Sequence, residues 1–312
     1  METIMNIIYN GADITGSVQP TKLQLTDNSG GKPDSLEISF SDSDGVWSKW
    51  KPVKNDTIQI LESGFDSGIM FVDQLSQSAG MFGIMALSIP QASKTARTQG
   101  WEKVRLLEIV TEIATRYGLS LQTYNIANHL YERIDQQEIA DFVFLADLCL
   151  AEGYALKINN LSLVIYDEYA QEQIAADPKL SLFGEGNIND SFEFLNESTE
   201  IYQKCIVCSN GTEYIEGSYS ATDILGPTLK RSVYATNQAE ANRWAKGLLR
   251  SYNKHMITGS LSINLNTNYA AGTNISVEDI GLFDGKYAIH SLTHDLINNK
   301  TSLSLRKPLE GY

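Results

Sequence analysis

The hydrophobic period changes twice along this chain, from two residues to between three and four and back again. That succession limits the possible folds more than any single motif does. Residues 1–92 read as strand, turn, strand. The apolar run 4–9 leads into Asn10-Gly11, a strong hairpin signal because both residue types accept the positive φ of a tight turn, and a second run, 12–18, follows. Ser35-Leu36-Glu37-Ile38-Ser39-Phe40 alternates with period two, residues 57–61 repeat the pattern, and 68–75 with 81–89 form a strand pair around Gly80. Such a texture predicts an all-β unit, a barrel or a sandwich.

From Trp101 the period lengthens. Leu106, Val110, Ile113 and Tyr117 recur at helical spacing, and Gly118 supplies a stop. A second helix is expected from about Gln137, with Phe142, Leu145, Leu148 and Cys149 on one side and Gly153 at its end. A hairpin turning at Asn159-Asn160 comes next, and residues 93–180 read as a small α/β unit. Residues 169–187 form a polar connection broken by Asp177-Pro178 and Gly184-Glu185-Gly186. Strand texture then returns, with a second hairpin at Asn210-Gly211 and strands expected at 259–265, 273–277, 286–293 and 301–305. One helix interrupts it at about 237–253: Asn237 and Glu240 resemble a capping box, and Ala241, Trp244, Leu248 and Tyr252 share a face. The expected division is 1–92, a β-unit; 93–180, a small α/β domain; and 181–312, a second β-unit carrying the helix.

A net charge of −14, from 38 acidic and 24 basic residues, argues against direct nucleic-acid binding, whose affinity rests on Lys and Arg neutralising phosphates. Residues 1–6 lack a basic start and an apolar core, so no signal peptide is expected, and no run approaches the ~20 apolar residues of a membrane span. Three cysteines give no disulfide framework, which suits synthesis in a reducing host cytoplasm.

The pattern for chemistry is thin. Cys205-Ile206-Val207-Cys208 and His290 with His294 have the spacings of a zinc site, but both pairs fall in expected strands. Cys205 and Cys208 would point to opposite faces, and the two histidines would share a face about 13 Å apart. The CxxC opens no helix, so it lacks the dipole that activates a redox thiol. Cys149 reads as a core thiol, and Glu37, Asp42 and Asp44 as acids clustered by chance. Trp47 and Trp50 read as packing or contact residues. There is no GxSxG elbow and no phosphate-binding glycine loop. No catalytic, cofactor-binding or metal residue is therefore nominated, and the chain is expected not to be an enzyme.

Three segments resemble the late-control-D family of contractile phage-tail baseplate hubs, which is related to the N-terminal part of type VI secretion VgrG spike proteins. The first runs from Trp101-Glu102-Lys103-Val104 to Tyr117-Gly118-Leu119. The second is Arg133-Ile134-Asp135-Gln136 with Ile139-Ala140-Asp141-Phe142 and Glu152-Gly153-Tyr154, where Ala140 stands at a position commonly Ser. The third joins Ala239-Glu240-Ala241, Ala271-Gly272-Thr273, Tyr287-Ala288-Ile289 to His294, and Thr301-Ser302-Leu303. The resemblance spans about residues 100–307; residues 1–92 match in texture only. It implies a mainly β fold with an α/β insertion: two tube-protein-like β-barrels with the small domain between them.

It also implies a homotrimer whose six barrels form a ring, adapting a six-fold tail tube to a three-fold spike in a virion or tailocin baseplate. The partners would be the tail tube or its initiator, the central spike and other baseplate proteins, with no sequence-specific nucleic acid. The last strand ends close to Tyr312, so the spike is expected to be a separate chain, as in a phage, prophage or tailocin. An acidic channel that would not hold passing DNA is a further expectation. A tail-associated cell-wall hydrolase and a receptor- or glycan-binding β-protein are the alternatives.

Overall fold

The computed structural model describes residues 5–62, 64–182, 188, 191–211 and 213–312. Six longer strands build the first β-unit: β1 (Met5–Tyr9), β2 (Pro20–Asn28), β3 (Ser35–Ser41), β4 (Thr57–Glu62), β5 (Met70–Ser78) and β6 (Met81–Leu87). Their alternation decides their faces. Leu36, Ile38 and Phe40 are buried with Leu23, Ile60 and Ile84, while Ser35, Glu37 and Ser39 point away from that core. Asn10 and Gly11 both take positive φ, as the hairpin signal predicts. The short helix Val46–Trp50 adds Trp47 to the core, where its ring stacks on Phe82 at 5.1 Å and touches Phe40 and Tyr9. Asp42 accepts a hydrogen bond from the Trp47 N–H.

The small unit starts differently from its expected pattern. Residues around Trp101 lie in a strand, β7 (Ala96–Arg105), and the helix α1 (Leu106–Arg116) begins five residues after Trp101. The break is local chemistry: Glu108 accepts a hydrogen bond from the Arg105 N–H at 2.6 Å, closing the helix N-terminus there. β8 (Ser120–Tyr124) follows, then β9 (Leu130–Ala140), paired with β7 through a bulge between Gln136 and Ile139. The second helix, α2 (Asp141–Glu152), therefore begins at Asp141 and not near Gln137. Asp141 fixes that start by accepting hydrogen bonds from Gln136, Arg116 and Tyr117. β10 (Tyr154–Asn159) and β11 (Ser162–Asp167) form the expected hairpin, but its two turn residues are Asn160 and Leu161. The polar connection contains a short helix, α3 (Glu168–Gln173), and a strand, β12 (Lys179–Ser181). Gly184, Glu185 and Gly186 lie outside the described residues.

The remaining elements are β13 (Phe192–Asn196), β14 (Lys204–Asn210), β15 (Tyr214–Ser220), β16 (Thr228–Ser232), α4 (Gln238–Asn253), β17 (Ile257–Asn264), β18 (Asn274–Glu278), β19 (Gly285–Asp295) and β20 (Lys300–Arg306). The second β-unit's core is Leu180, Leu261, Ile275, Tyr287, Ile289, Leu303 and Leu305. β14, β15, β16 and α4 share their core with the small unit instead: Val207, Leu229, Ala241, Trp244 and Leu249 pack with Ile113, Leu145 and Leu163. Gly247 permits this contact. A Cβ there would lie 2.1 Å from the Ala151 carbonyl oxygen of α2, a backbone atom that cannot swing aside. Gly247→Ala is expected to cost about 1–3 kcal/mol in urea unfolding; an unchanged midpoint would show that the helices can separate freely.

One strand joins the two β-units. Along one edge, β19 pairs its first half, 285–288, with β18 and its second half, 291–295, with β2 of the first unit. Along the other edge it pairs with β20, with a bulge between Ile289 and Ser291. Among the described residues both units thus belong to one sheet, whose longer strands follow the path β13-β17-β20-β19-β2-β3-β6-β5-β4-β1, with β18 branching from β19 and β12 from β18.

Candidate functional site

Because each strand turns alternate side chains to a core, the opposite side chains of the joined strands form one long wall. Cross-strand neighbours trace it. Asn264, Lys300, Asp295, Gln24, Glu37, Met85 and Gln74 stand side by side across seven strands. Ser262, Ser302, Thr293, Thr26 and Ser35 form the next row, and Ser260, Ser304, Ser291 and Asn28 a third. Short hydroxyl and amide side chains dominate, and charged residues are few: Lys22 and Lys300 against Glu37, Asp295 and Glu193, which stands opposite Ser260. Where β19 meets β2, Gln24 donates to Asp295 at 2.8 Å and the Thr26 and Thr293 hydroxyls lie 3.0 Å apart. Side chains therefore reinforce the main-chain seam between the two units.

Two buried charge networks tie the small unit to this sheet. In the first, Lys157 of β10 pairs with Asp27 of β2 and lies 3.8 Å from Asp34, while Asn159 donates to Asp34 at 3.2 Å. Asp27 also accepts the Ala271 N–H at 2.8 Å, so one carboxylate touches all three parts of the chain. Burial pushes Asp34 up to about 7, against the opposing pull of Lys157. In the second network, Glu168 and Glu172 of α3 face Arg250 and Lys254 of α4 and its C-terminal cap, and Arg306 of β20. Arg250 also donates to the Tyr312 carbonyl. Burial alone would raise the Glu168 carboxyl, but Lys254, Arg306 and Arg250 bring it down to about 2. His290 sits at the β19 bulge beside this network, its ring 5.3 Å from that of His255 and its carbonyl accepting the Ser29 N–H at 2.9 Å.

The motif residues of the sequence fall apart in space. Cys205 is buried, and burial pushes its thiol up to about 11; Cys208 lies on the other face of β14. The histidines are in a different sheet, and the bulge corrects the expectation that they share a face. Tyr287 and Ile289 point to the core before it, Leu292 and His294 after it, which leaves His290 on the opposite side from His294. His294 packs on Phe65 and bonds Thr301. Among the described residues no group of three or more His, Cys, Asp or Glu is placed to hold a metal ion. Cys149 is fully buried, which drives its thiol far above the ordinary range. Glu37 pairs with Lys22 on the surface, and Asp42 serves Trp47. Trp50 packs edge-on against Trp47 and is partly exposed.

The charged residues that join the units were not nominated from sequence. Their trace in the sequence is slight: Arg306 directly follows the alternating Leu303 and Leu305, and Arg250 follows Leu248 and Leu249 on a helix with an apolar face. Among the described residues, no helix is long and apolar enough to cross a membrane.

No protein-family model and no curated protein matches the chain. Solved structures do. A tail protein from Neisseria meningitidis MC58 superposes with a TM-score of 0.77 at 11% identity, covering 98% of this chain and 97% of that one. The 43 kDa tail protein of prophage MuSo2 from Shewanella oneidensis gives 0.76 at 13% identity, covering 98% and 99%. A component of the Escherichia coli type VI secretion system, described as structurally similar to T4 bacteriophage tail proteins, gives 0.59 at 12% identity, covering 98% and 78%. The chain has the mainly β fold of these tail and secretion-system proteins.

Proposed function

We propose that this chain is the baseplate hub of a contractile injection particle, a structural protein of a phage tail, prophage or tailocin that acts as a trimeric ring. Three copies would place six β-units around a channel, matching a six-fold tube on one side and a three-fold spike on the other. The observation that carries this reading is the end-to-end likeness to tail proteins, which covers 98% of the chain and nearly all of each of two partners. The shared strand supports it. A ring that transmits force needs its barrels fixed relative to one another, and β19 joins them by main-chain hydrogen bonds and not by a linker.

The division that follows these cores is a first barrel of about residues 5–92, a small unit of 93–173 with 201–253, and a second barrel from the strands between and after. The hydroxyl-rich wall suits the channel side, because short uncharged side chains offer a passing polymer few strong contacts. This wall carries few charged side chains, so most of the chain's −14 charge would reside elsewhere.

Mass photometry of the purified chain, alone and with the spike protein of the same particle, tests the ring. A species of three times the chain mass is expected, sharpened by the spike. A persistent monomer in its presence would overturn the proposal.

A further inference from the structure

The strand β19 changes partner at His290. Ala288 is in register with Asn274 of β18, and Ser291 with Asn28 of β2. Opposite β20 the register skips the residue between Ile289 and Ser291. His290 is therefore the extra residue of the bulge, and its carbonyl accepts the N–H of buried Ser29 from the first barrel at 2.9 Å. Its side chain reaches the small unit. Nδ1 lies 3.4 Å from the Ser29 hydroxyl, and the ring stands edge-on to that of His255, just past the C-terminal cap of α4. A hollow of about 160 Å³ adjoins it, lined also by Glu168, Arg250 and Lys254.

The charged and titratable groups around this ring come from every neighbouring element. They are Glu168 and Glu172 of α3, Arg250 of α4, Lys254 and His255 after it, and Arg306 of β20. Asp147 of α2 lines the same hollow, and Tyr166 of β11 donates to the Ser29 carbonyl. The two glutamates are already shared among Arg250, Lys254 and Arg306. A proton on His290 would add a fourth cation beside two carboxylates that serve three. The next contact along β2 is built otherwise. Gly31 donates its N–H to the Leu156 carbonyl of β10 at 3.2 Å, next to Lys157 and its partners Asp27 and Asp34. Burial of Asp34 favours its protonated form, so acid does not loosen that corner.

We propose that His290 is a proton-operated latch: its neutral ring pins the end of α4 to the bulge where the barrels join, and its protonation frees that corner of the small unit while the Gly31–Leu156 corner and both barrels stay closed. The latch is independent of the hub reading. Residue-resolved hydrogen exchange of the full chain between pH 7 and pH 4, corrected for intrinsic exchange, tests it. Burial holds the closed imidazole down to about 4, whereas a released one titrates near 6.5, so opening is favoured as pH falls through that window and is flat below it. Protection of the Ser29 N–H is expected to fall by up to about 300-fold. That of Gly31 is expected not to fall, and that of Ile38, in the doubly paired strand β3, to stay above both. His290→Gln is expected to abolish the fall at Ser29. His255→Gln, which removes one group that disfavours the proton, is expected to make it smaller, and serves should the first variant fail to fold. Equal falls at Ser29, Gly31 and Ile38 would show global acid unfolding and overturn the latch. Constant protection at Ser29, or an unaltered pH dependence in both variants, would overturn it too.

Discussion

Replacing Arg306 with methionine is expected to destabilise the chain by about 3–5 kcal/mol, the scale of removing one partner from a buried ion pair. Arg306 is 4% exposed at the end of β20 and pairs with Glu172, with Glu168 3.6 Å away. Both acids are nearly buried too, and Glu172 additionally meets Arg250 at 2.6 Å and the Leu309 N–H at 3.3 Å. Methionine fills similar volume, so the loss would report buried carboxylates left with one cation fewer, Arg250 and Lys254 remaining, and not a cavity. The matched control is Lys22→Met. Its pair with Glu37 has side chains 43% and 49% exposed, and its removal is expected to cost below about 1 kcal/mol. Urea unfolding of both variants decides the matter, and equal losses would show that burial of the Arg306 pair has no special weight. Because Arg306 belongs to the second barrel and Glu172 to the short helix after the small unit, the loss would also measure how firmly the two are joined.

Acidification from pH 7 to pH 4 is expected to remove up to about 3 kcal/mol through His290 alone. Burial, helped by His255, Lys254 and Arg306 and opposed by Glu168, pushes this imidazole down to about 4. The unfolded chain takes up a proton near pH 6.5, while the folded chain refuses it until about pH 4. Stability is therefore lost as pH falls from above 6.5 to 4, and this contribution is flat below. His255, also lowered by burial, acts with the same sign. Asp34 acts with the opposite sign, because a carboxyl raised to about 7 binds its proton first in the folded state and gains stability as pH falls across the same window. Comparing wild type with His290→Gln at each pH isolates the histidine, since Asp34 is common to both. Their difference in unfolding free energy is expected to change by up to about 3 kcal/mol between pH 7 and pH 4. A difference that stays constant would mean that His290 is not held neutral at the seam.

Several elements were legible in the sequence because their signals are local. The Asn10-Gly11 turn, the face Leu106, Val110 and Ile113, and the cap at Asn237, whose side chain accepts the Glu240 N–H, follow from residues within a few positions of each other. Element starts were less legible. The strand β7 and the bulged strand β9 carry polar residues at most outward positions, so their period-two signal is weak, and the periodicity alone starts the helices after them too early. The histidine faces were misread for a related reason. A bulge adds one residue to a strand without altering its composition, yet it reverses the face of everything beyond it.

The sequence by itself determined the order of textures, the turns, and the absence of any compact catalytic motif, since each depends on side chains close together along the chain. Only the tertiary structure decided that β19 belongs to both barrels, that α4 completes the small unit, and that Arg306 and Glu172 meet. Those facts rest on contacts between residues such as Ser29 and His290, or Glu172 and Arg306, far apart in sequence. A hydrophobic period states which face of a strand or helix seeks cover. It does not state which element supplies that cover, because the apolar attraction that fills a core has no direction of its own.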